Sequence, residues 1–240
     1  MEIHFHLANY LYKMTYILHI ETATNICSIC ISREDEIIAF YESDDSFSHA
    51  KSITILIDKC LREAKITMKD LSAVSVSKGP GSYTALRVGS STAKGICYAM
   101  EIPMIAVDTL KALALASQSQ DDDENTIYCP MIDARRMEVY ASLYNSKMDL
   151  IAKTNAIIID ENSFSEIYTN GKTLKLSGDG AEKCKAILQK STIDSNILCS
   201  SNHLVVLAME YFKNELFVDI AYFEPTYFKP PNITTPKKLL

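Results

Sequence analysis

No uninterrupted apolar run of 18 residues occurs anywhere in the 240-residue sequence, which argues against a membrane-spanning helix. The first thirteen residues, MEIHFHLANYLYK, lack the basic start and continuous apolar stretch of a secretory signal peptide. A basic surplus is missing too. The formal net charge is −6, so no broad polyanion-binding surface is expected, although a local basic patch is compatible with that balance. Histidine is scarce: His4, His6, His19, His49 and His203 are all there are. A metal-dependent centre needs at least two converging histidine or carboxylate ligands, and no two of these five are spaced four apart for one helical face. No metal site and no cofactor are expected.

The seven cysteines are odd in number and scattered among apolar residues. That usage reads as free thiols in a reducing compartment, and a cytoplasmic location is expected. Cys27 and Cys30 have the spacing of a redox or zinc pair, but no second pair follows. Period-2 alternation over Ile26–Ile31 sends Cys27, Ile29 and Ile31 to one face and Cys30 to the other, so both read as buried strand residues. No repeat with a period of 20–50 residues is visible.

What is present is a soluble globular balance, 48% hydrophobic and 22% charged, in a chain long enough for one large domain or two modest ones. Strands are expected at Tyr16–Glu21, Asn25–Ser32 and Glu36–Glu42, closely spaced as in an antiparallel meander. Helix His49–Ala64 follows, with Ile53, Ile57 and Cys60 at helical spacing, then strand Ala73–Ser77, helix Thr84–Met100 and strand Met104–Val107. Asp108 is placed to cap a helix over Thr109–Ser119. The second half repeats the order: strands Ile127–Ile132, Glu138–Tyr144, Ala156–Ile159 and Leu174–Ser177, a Gly178-Asp179-Gly180 turn, and helices Ala181–Gln189 and Leu204–Lys213. Two α/β domains are expected, 14–107 and 108–240, the late helix packing back on the first. The acidic run 121–124 reads as an exposed hinge or loop, with a cation site the alternative. Translation is expected to begin at Met14; otherwise residues 1–13 form an amphipathic segment on the fold.

The stretch Ser77-Lys78-Gly79-Pro80-Gly81-Ser82-Tyr83-Thr84 joins a strand to a helix, where free backbone N–H groups can bind anions. It is not GxxxxGK[ST], and in the dinucleotide pattern GxGxxG the third glycine is replaced by Thr84. Phosphate binding and a structural turn both remain open on spacing. The helix beyond it carries an unusually small face, Ala85, Gly89, Thr92 or Ala93, and Ile96. Gly89 and Gly95 each cost about 1 kcal/mol of helix propensity relative to alanine, so close approach of another backbone is expected, within the protomer or across an interface.

The string Gly79-Pro80-Gly81-Ser82-Tyr83-Thr84-Ala85-Leu86-Arg87-Val88-Gly89, with Ala93-Lys94-Gly95 beyond it, resembles the TsaB (YeaZ) family, whose members read GPGSFTGLRIG and AKGL. Tyr16–Thr24 resembles that family's opening strand and turn, and Ile132-Asp133-Ala134-Arg135-Arg136-Met137-Glu138-Val139-Tyr140 its IDARRGEVY segment. The match spans about Met14–Tyr144; downstream it rests on Gly178-Asp179-Gly180 and Glu224-Pro225-Thr226-Tyr227. The resemblance implies an actin/Hsp70/sugar-kinase fold of two related domains, each a mixed sheet flanked by helices. It implies a non-catalytic subunit that pairs with a TsaD-like paralogue, the transferase forming N6-threonylcarbamoyladenosine in tRNA. A TsaE-like ATPase binds that pair; a homodimer is an alternative assembly, and tRNA is met only through the complex.

The resemblance further implies that helices His49–Ala64 and Thr84–Met100 form the contact, with Ile53, Ile57, Cys60, Ala85, Gly89, Ala93 and Ile96 at the interface. The alternative is that these residues pack on their own sheet. A bulky replacement of Gly89 or Ala93 is expected to abolish pairing and leave the monomer folded. The H-x-x-x-H of the catalytic paralogue is missing. Glu21 replaces the family's aspartate, which weakens a case for nucleotide chemistry. Asp133 and Arg135 are expected to pair or cap a strand connection, Ser82 to cap a helix, His19 to pack or hydrogen-bond, and His49 to anchor or cap a helix start. The rival readings are a degenerate ATPase or peptidase-like enzyme, and direct tRNA contact through Lys78, Arg87 and Lys94, three residues without aromatic interleaving.

Overall fold

A computed structural model of the chain describes residues 14–43, 49–120 and 123–229. The expectations for residues 1–13, Asp121, Asp122 and the side chain of His49 lie outside what is described.

Strand β1 (Tyr16–Glu21) is buried on both sides, Leu18 and Ile20 on one and Ile17, His19 and Glu21 on the other, and takes the centre of the first sheet. It pairs antiparallel with β2 (Cys27–Arg33), which pairs antiparallel with β3 (Glu36–Ser43). It pairs parallel with β4 (Ala73–Ser77), which pairs parallel with β5 (Met104–Val107). The order is β3-β2-β1-β4-β5. Parallel pairing requires long crossovers, supplied by α1 (His49–Ala64) and α2 (Tyr83–Met100). The second half repeats the path. β6 (Thr126–Asp133), β7 (Glu138–Tyr144) and β8 (Leu150–Ile158) form the meander, and β9 (Thr173–Ser177) and β10 (Thr192–Asp194) add in parallel, giving β10-β9-β6-β7-β8. This doubled mixed sheet with flanking helices is the actin/Hsp70/sugar-kinase fold.

Two-sided burial of the first sheet follows from side-chain alternation. Leu18 and Ile20 meet Ile53, Ile57 and Cys60 of α1 and Ala93 and Cys97 of α2. Ile17 points the other way, to Leu207, Ala208 and Met209 of α5 (Val205–Lys213), so the late helix covers the first domain's outer face. Helix α3 (Thr109–Gln118) is shared: Ala112 joins that cluster, while Leu110 and Leu113 pack on Ile132 and Tyr140 of the second sheet. Asp108 Oδ1 accepts the Lys111 N–H at 3.0 Å and caps this helix.

Strand β10 (Thr192–Asp194) has no counterpart among the expected elements, and three further elements differ from expectation. The helix expected over Ala181–Gln189 contains only a 3-10 turn, Glu182–Cys184. Its amides bond mostly three residues back, Cys184 to Ala181 at 3.0 Å and Lys185 to Glu182 at 3.2 Å, which keeps Ala181 and Cys184 together against the second sheet. The strand expected at Ala156–Ile159 extends back to Leu150. A short helix, α4 (Ser165–Thr169), was not foreseen. All seven cysteines are free and buried; Cys27 faces the α1 side with Ile29 and Ile31, while Cys30 stands outside that cluster.

Candidate functional site

The glycine loop lies where the first domain's motifs converge. Its Ser82 N–H donates to Ala23 O at 2.7 Å, and its Gly79 N–H donates to Thr109 Oγ1 at 3.1 Å. Lys78 O accepts from Thr226 N–H at 2.7 Å, and Lys78 N–H donates to Val107 O at 2.8 Å. Side chains have no room here. A Cβ at Gly81 would meet Ala23 O at 2.3 Å, and one at Gly79 would meet Thr226 O at 2.8 Å. Gly79 also has φ +102°, a region open to glycine. The loop therefore joins the Thr22-Ala23-Thr24 turn, α3 and the C-terminal strap. Two amides that a phosphate would need are already committed to protein acceptors. Ser82 occupies the N-cap of α2 but, against expectation, makes no capping side-chain bond; its carbonyl accepts the ordinary first intrahelical bond from Leu86 N–H at 2.9 Å.

Glu21 ends β1 below this loop and is fully enclosed. Its Oε1 accepts from Ala23 N–H at 2.6 Å and Ser77 Oγ at 2.8 Å. Burial raises its pKa from an ordinary 4.5 to about 7, those two hydrogen bonds oppose the shift, and the Asp179 charge adds to it. His19, two residues earlier, has Nδ1 2.7 Å from Ser75 Oγ and Nε2 2.9 Å from Ser32 Oγ. Burial lowers its pKa to about 3, so at neutral pH the ring is an uncharged bridge between strands.

The corresponding turn of the second domain is held by an ion pair. Asp133 Oδ1 accepts the Arg135 N–H at 2.7 Å and pairs with Lys183, whose ammonium also donates to Arg136 O at 2.8 Å and Glu138 O at 2.7 Å. Asp133 thus caps the connection, as expected, but its ionic partner is Lys183, not Arg135. Arg135 itself is exposed, with φ +73°. Asp179 Oδ1 accepts the Asp133 N–H at 3.1 Å, tying the Gly178-Asp179-Gly180 turn to the same point. Lys183 and Thr109 escaped the sequence reading because nothing local marks them; their partners are 50 and 30 residues away. Among the described residues no three His, Cys, Asp or Glu side chains converge as metal ligands.

The residues read as an interface lie elsewhere than expected. Ile53, Ile57, Cys60, Ala85, Gly89 and Ala93 are buried inside the protomer, and Ile96 is half-buried against the same core. A Cβ at Gly89 would meet Thr22 Oγ1 at 2.3 Å, and that hydroxyl donates to Ala85 O at 2.9 Å. The small face of α2 therefore receives the β1–β2 turn of its own chain. A bulky residue there strikes the monomer first, which corrects the expectation that only pairing would suffer. Gly95 is different: a Cβ there would meet nothing within 4 Å. Outside this core, α1 and α2 frame an open groove of about 550 Å³ with exposed Thr54, Thr84 and Ser91 on its walls. Tyr98 is 81% exposed further along α2. Thr84 and Arg87 of the glycine-loop string are thus on the surface, whereas Gly79, Pro80 and Gly81 serve the interior junction or its edge.

Residues 43–235 match the family model described as TsaD, tRNA N6-adenosine threonylcarbamoyltransferase. The TsaB protein of Buchnera aphidicola subsp. Schizaphis graminum is 30% identical over 176 residues, covering 70% of this chain and 80% of the relative. Escherichia coli TsaB is 25% identical over 223 residues, with 89% and 94% covered. Bacillus subtilis TsaB is 34% identical over 146 residues, and that match spans only 61% of each chain. YeaZ from Pseudomonas aeruginosa superposes with a TM-score of 0.78 at 22% identity, covering 89% of this chain and all of that one, a likeness of fold. On the family-model match and the Buchnera relative together, the chain belongs to the TsaD/TsaB family and is a homologue of the TsaB (YeaZ) proteins within it.

Proposed function

We propose that this chain is a non-catalytic scaffold subunit that pairs with a TsaD-like threonylcarbamoyltransferase in forming N6-threonylcarbamoyladenosine in tRNA. The observation that carries it is the internal use of the glycine loop. Where a nucleotide-binding relative would present free amides, Ser82 N–H and Gly79 N–H bond Ala23 and Thr109, and Gly81 has no space above it. A loop filled by its own protein holds a shape rather than a phosphate. His19 and His203, the histidines whose side chains are described, both have lowered pKa values through burial, and no H-x-x-x-H pair exists in the sequence.

The groove between α1 and α2 is the pairing face this reading selects, with exposed uncharged Thr54 and Thr84 on its walls and the interior residues behind it as rigid support. A TsaE-like ATPase joins through the pair, a homodimer uses the same face in the partner's absence, and tRNA is engaged by the assembly in the cytoplasm. The test is size-exclusion chromatography with light scattering, the chain alone and mixed with the TsaD-like paralogue, with ATP turnover read on every peak. A one-to-one complex lost in Thr54→Arg and Thr84→Arg, at unchanged thermal midpoint, is the expected result. Failure to pair, or steady ATP hydrolysis by the isolated chain, refutes the reading.

A further inference from the structure

A second cavity, of about 230 Å³, lies on the flank of α2 beneath the C-terminal strap. Tyr83, Arg87, Ser90, Ser91 and Lys94 reach it from successive turns of one helix face. Phe223, Glu224 and Tyr227 close it from the strap. Among the described residues neither Arg87 nor Lys94 has a carboxylate within ion-pair distance, in a protein of net charge −6 whose other cations are often paired. Glu224 is the one acid on the wall, so the lining carries a net positive charge.

Both cations are held in place without being neutralised. The Arg87 guanidinium donates one N–H to Tyr83 OH at 2.7 Å and sits 5.4 Å from that ring's centroid. Its remaining N–H groups are uncommitted in a fixed fork, the geometry suited to oxyanions. Lys94 Nζ reaches Ala221 O at 3.5 Å and lies 6.0 Å from the Phe223 ring. The Ser91 hydroxyl adds a donor between the two charges, Ser90 Oγ being committed to Arg87 O at 3.2 Å, and the Tyr83–Tyr227 pair, 4.6 Å between centroids, forms an aromatic wall.

We propose that this cavity is a phosphate-binding site. Two cations and the Ser91 hydroxyl supply more donors than a carboxylate uses and suit a tetrahedral oxyanion. The aromatic wall offers a surface to a sugar or base attached to it. The phosphate belongs either to a free phosphorylated metabolite or to an RNA backbone, which share this chemistry. The site adjoins the groove between α1 and α2, with which it shares Tyr83, Arg87 and Ser91, but it needs no partner residue, because its donors all come from the single chain.

Isothermal titration of the full chain in low-salt, phosphate-free buffer tests it with inorganic phosphate, adenosine monophosphate and a short RNA stem–loop. Binding in at least one arm is expected, weakened tenfold or more by Arg87→Ala and by Lys94→Ala. Glu224→Gln should tighten it severalfold by removing the opposing charge, a gain that a merely structural role would not give. Lys185→Ala, whose ammonium pairs with Glu182 at 3.5 Å elsewhere, should leave it unchanged. Response to the small phosphates identifies a free ligand, and response to RNA alone identifies a backbone. Absence of binding in all three arms, or binding indifferent to Arg87→Ala and Lys94→Ala, overturns the proposal.

Discussion

Replacing Gly89 with alanine separates internal packing from partner contact. The added methyl would lie 2.3 Å from Thr22 Oγ1, so Thr22 must rotate, and its buried hydroxyl then loses its bond to Ala85 O. Severing a buried hydrogen bond costs about 1–3 kcal/mol. Crowding a filled site adds about 1–3 kcal/mol. Alanine returns about 1 kcal/mol of helix propensity. The net is a destabilisation of roughly 1–5 kcal/mol, centred near 3, a large share of the 5–15 kcal/mol typical of a folded domain. Urea unfolding of the isolated chain should show the midpoint falling by about 1 M at unchanged slope, given a slope of about 1–3 kcal/mol/M. Thr22→Ala removes the atom that the methyl strikes, so in that background Gly89→Ala should cost little. The resulting coupling is roughly 3 kcal/mol, nearly the whole cost of the single substitution. If Gly89→Ala alone is as stable as the parent, or more stable, the contact with Thr22 does not explain this glycine.

Two other glycines bracket that result. Gly81→Ala places a methyl against the Ala23 backbone, which has no side-chain rotation to yield, and should destabilise by more than Gly89→Ala, to the point of failed expression. Gly95→Ala meets open space and should stabilise by about 0.5–1 kcal/mol in thermal melts, unless another chain occupies that space. Glu21 provides a pH test. Its folded pKa is raised from 4.5 to about 7, so the folded state holds the proton more tightly than the unfolded one. Its contribution is intact below about pH 4.5 and is lost as pH rises toward 7, a change of about 3 kcal/mol by linkage. Glu21→Gln keeps an acceptor for Ala23 N–H and Ser77 Oγ and removes the ionisation, so its stability relative to the parent should rise between pH 5 and 8. A constant difference across that range would contradict the buried acid.

Much of this protein is local information. The closely spaced strands at Tyr16–Glu21, Cys27–Arg33 and Glu36–Ser43 follow from apolar residues bounded by short polar turns, and such meanders close within a few residues. The amphipathic spacing of α1 and the Asp108 cap of α3 are equally short-range, which is why both were legible. The glycine loop was legible as a strand–helix junction but not as a filled one. Its bonding partners, Ala23, Thr109 and Thr226, are contributed by three distant segments, and no spacing rule encodes them. The small face of α2 shows the same limit. Sequence called for a close neighbour at Gly89 and could not say which, because Thr22 arrives there only once β1 and α2 pack. Of the aromatic residues around Arg87 and Lys94 in the cavity, only Tyr83 is near them along the chain. The strap supplies Phe223 and Tyr227 more than 120 residues later. Sequence by itself determined the elements of the first domain and the family, since periodicity and motif order are properties of the chain. Which amides are occupied, which carboxyl is enclosed and which cations are left facing a cavity was decided only by tertiary packing, because each depends on atoms brought together from opposite ends of the molecule.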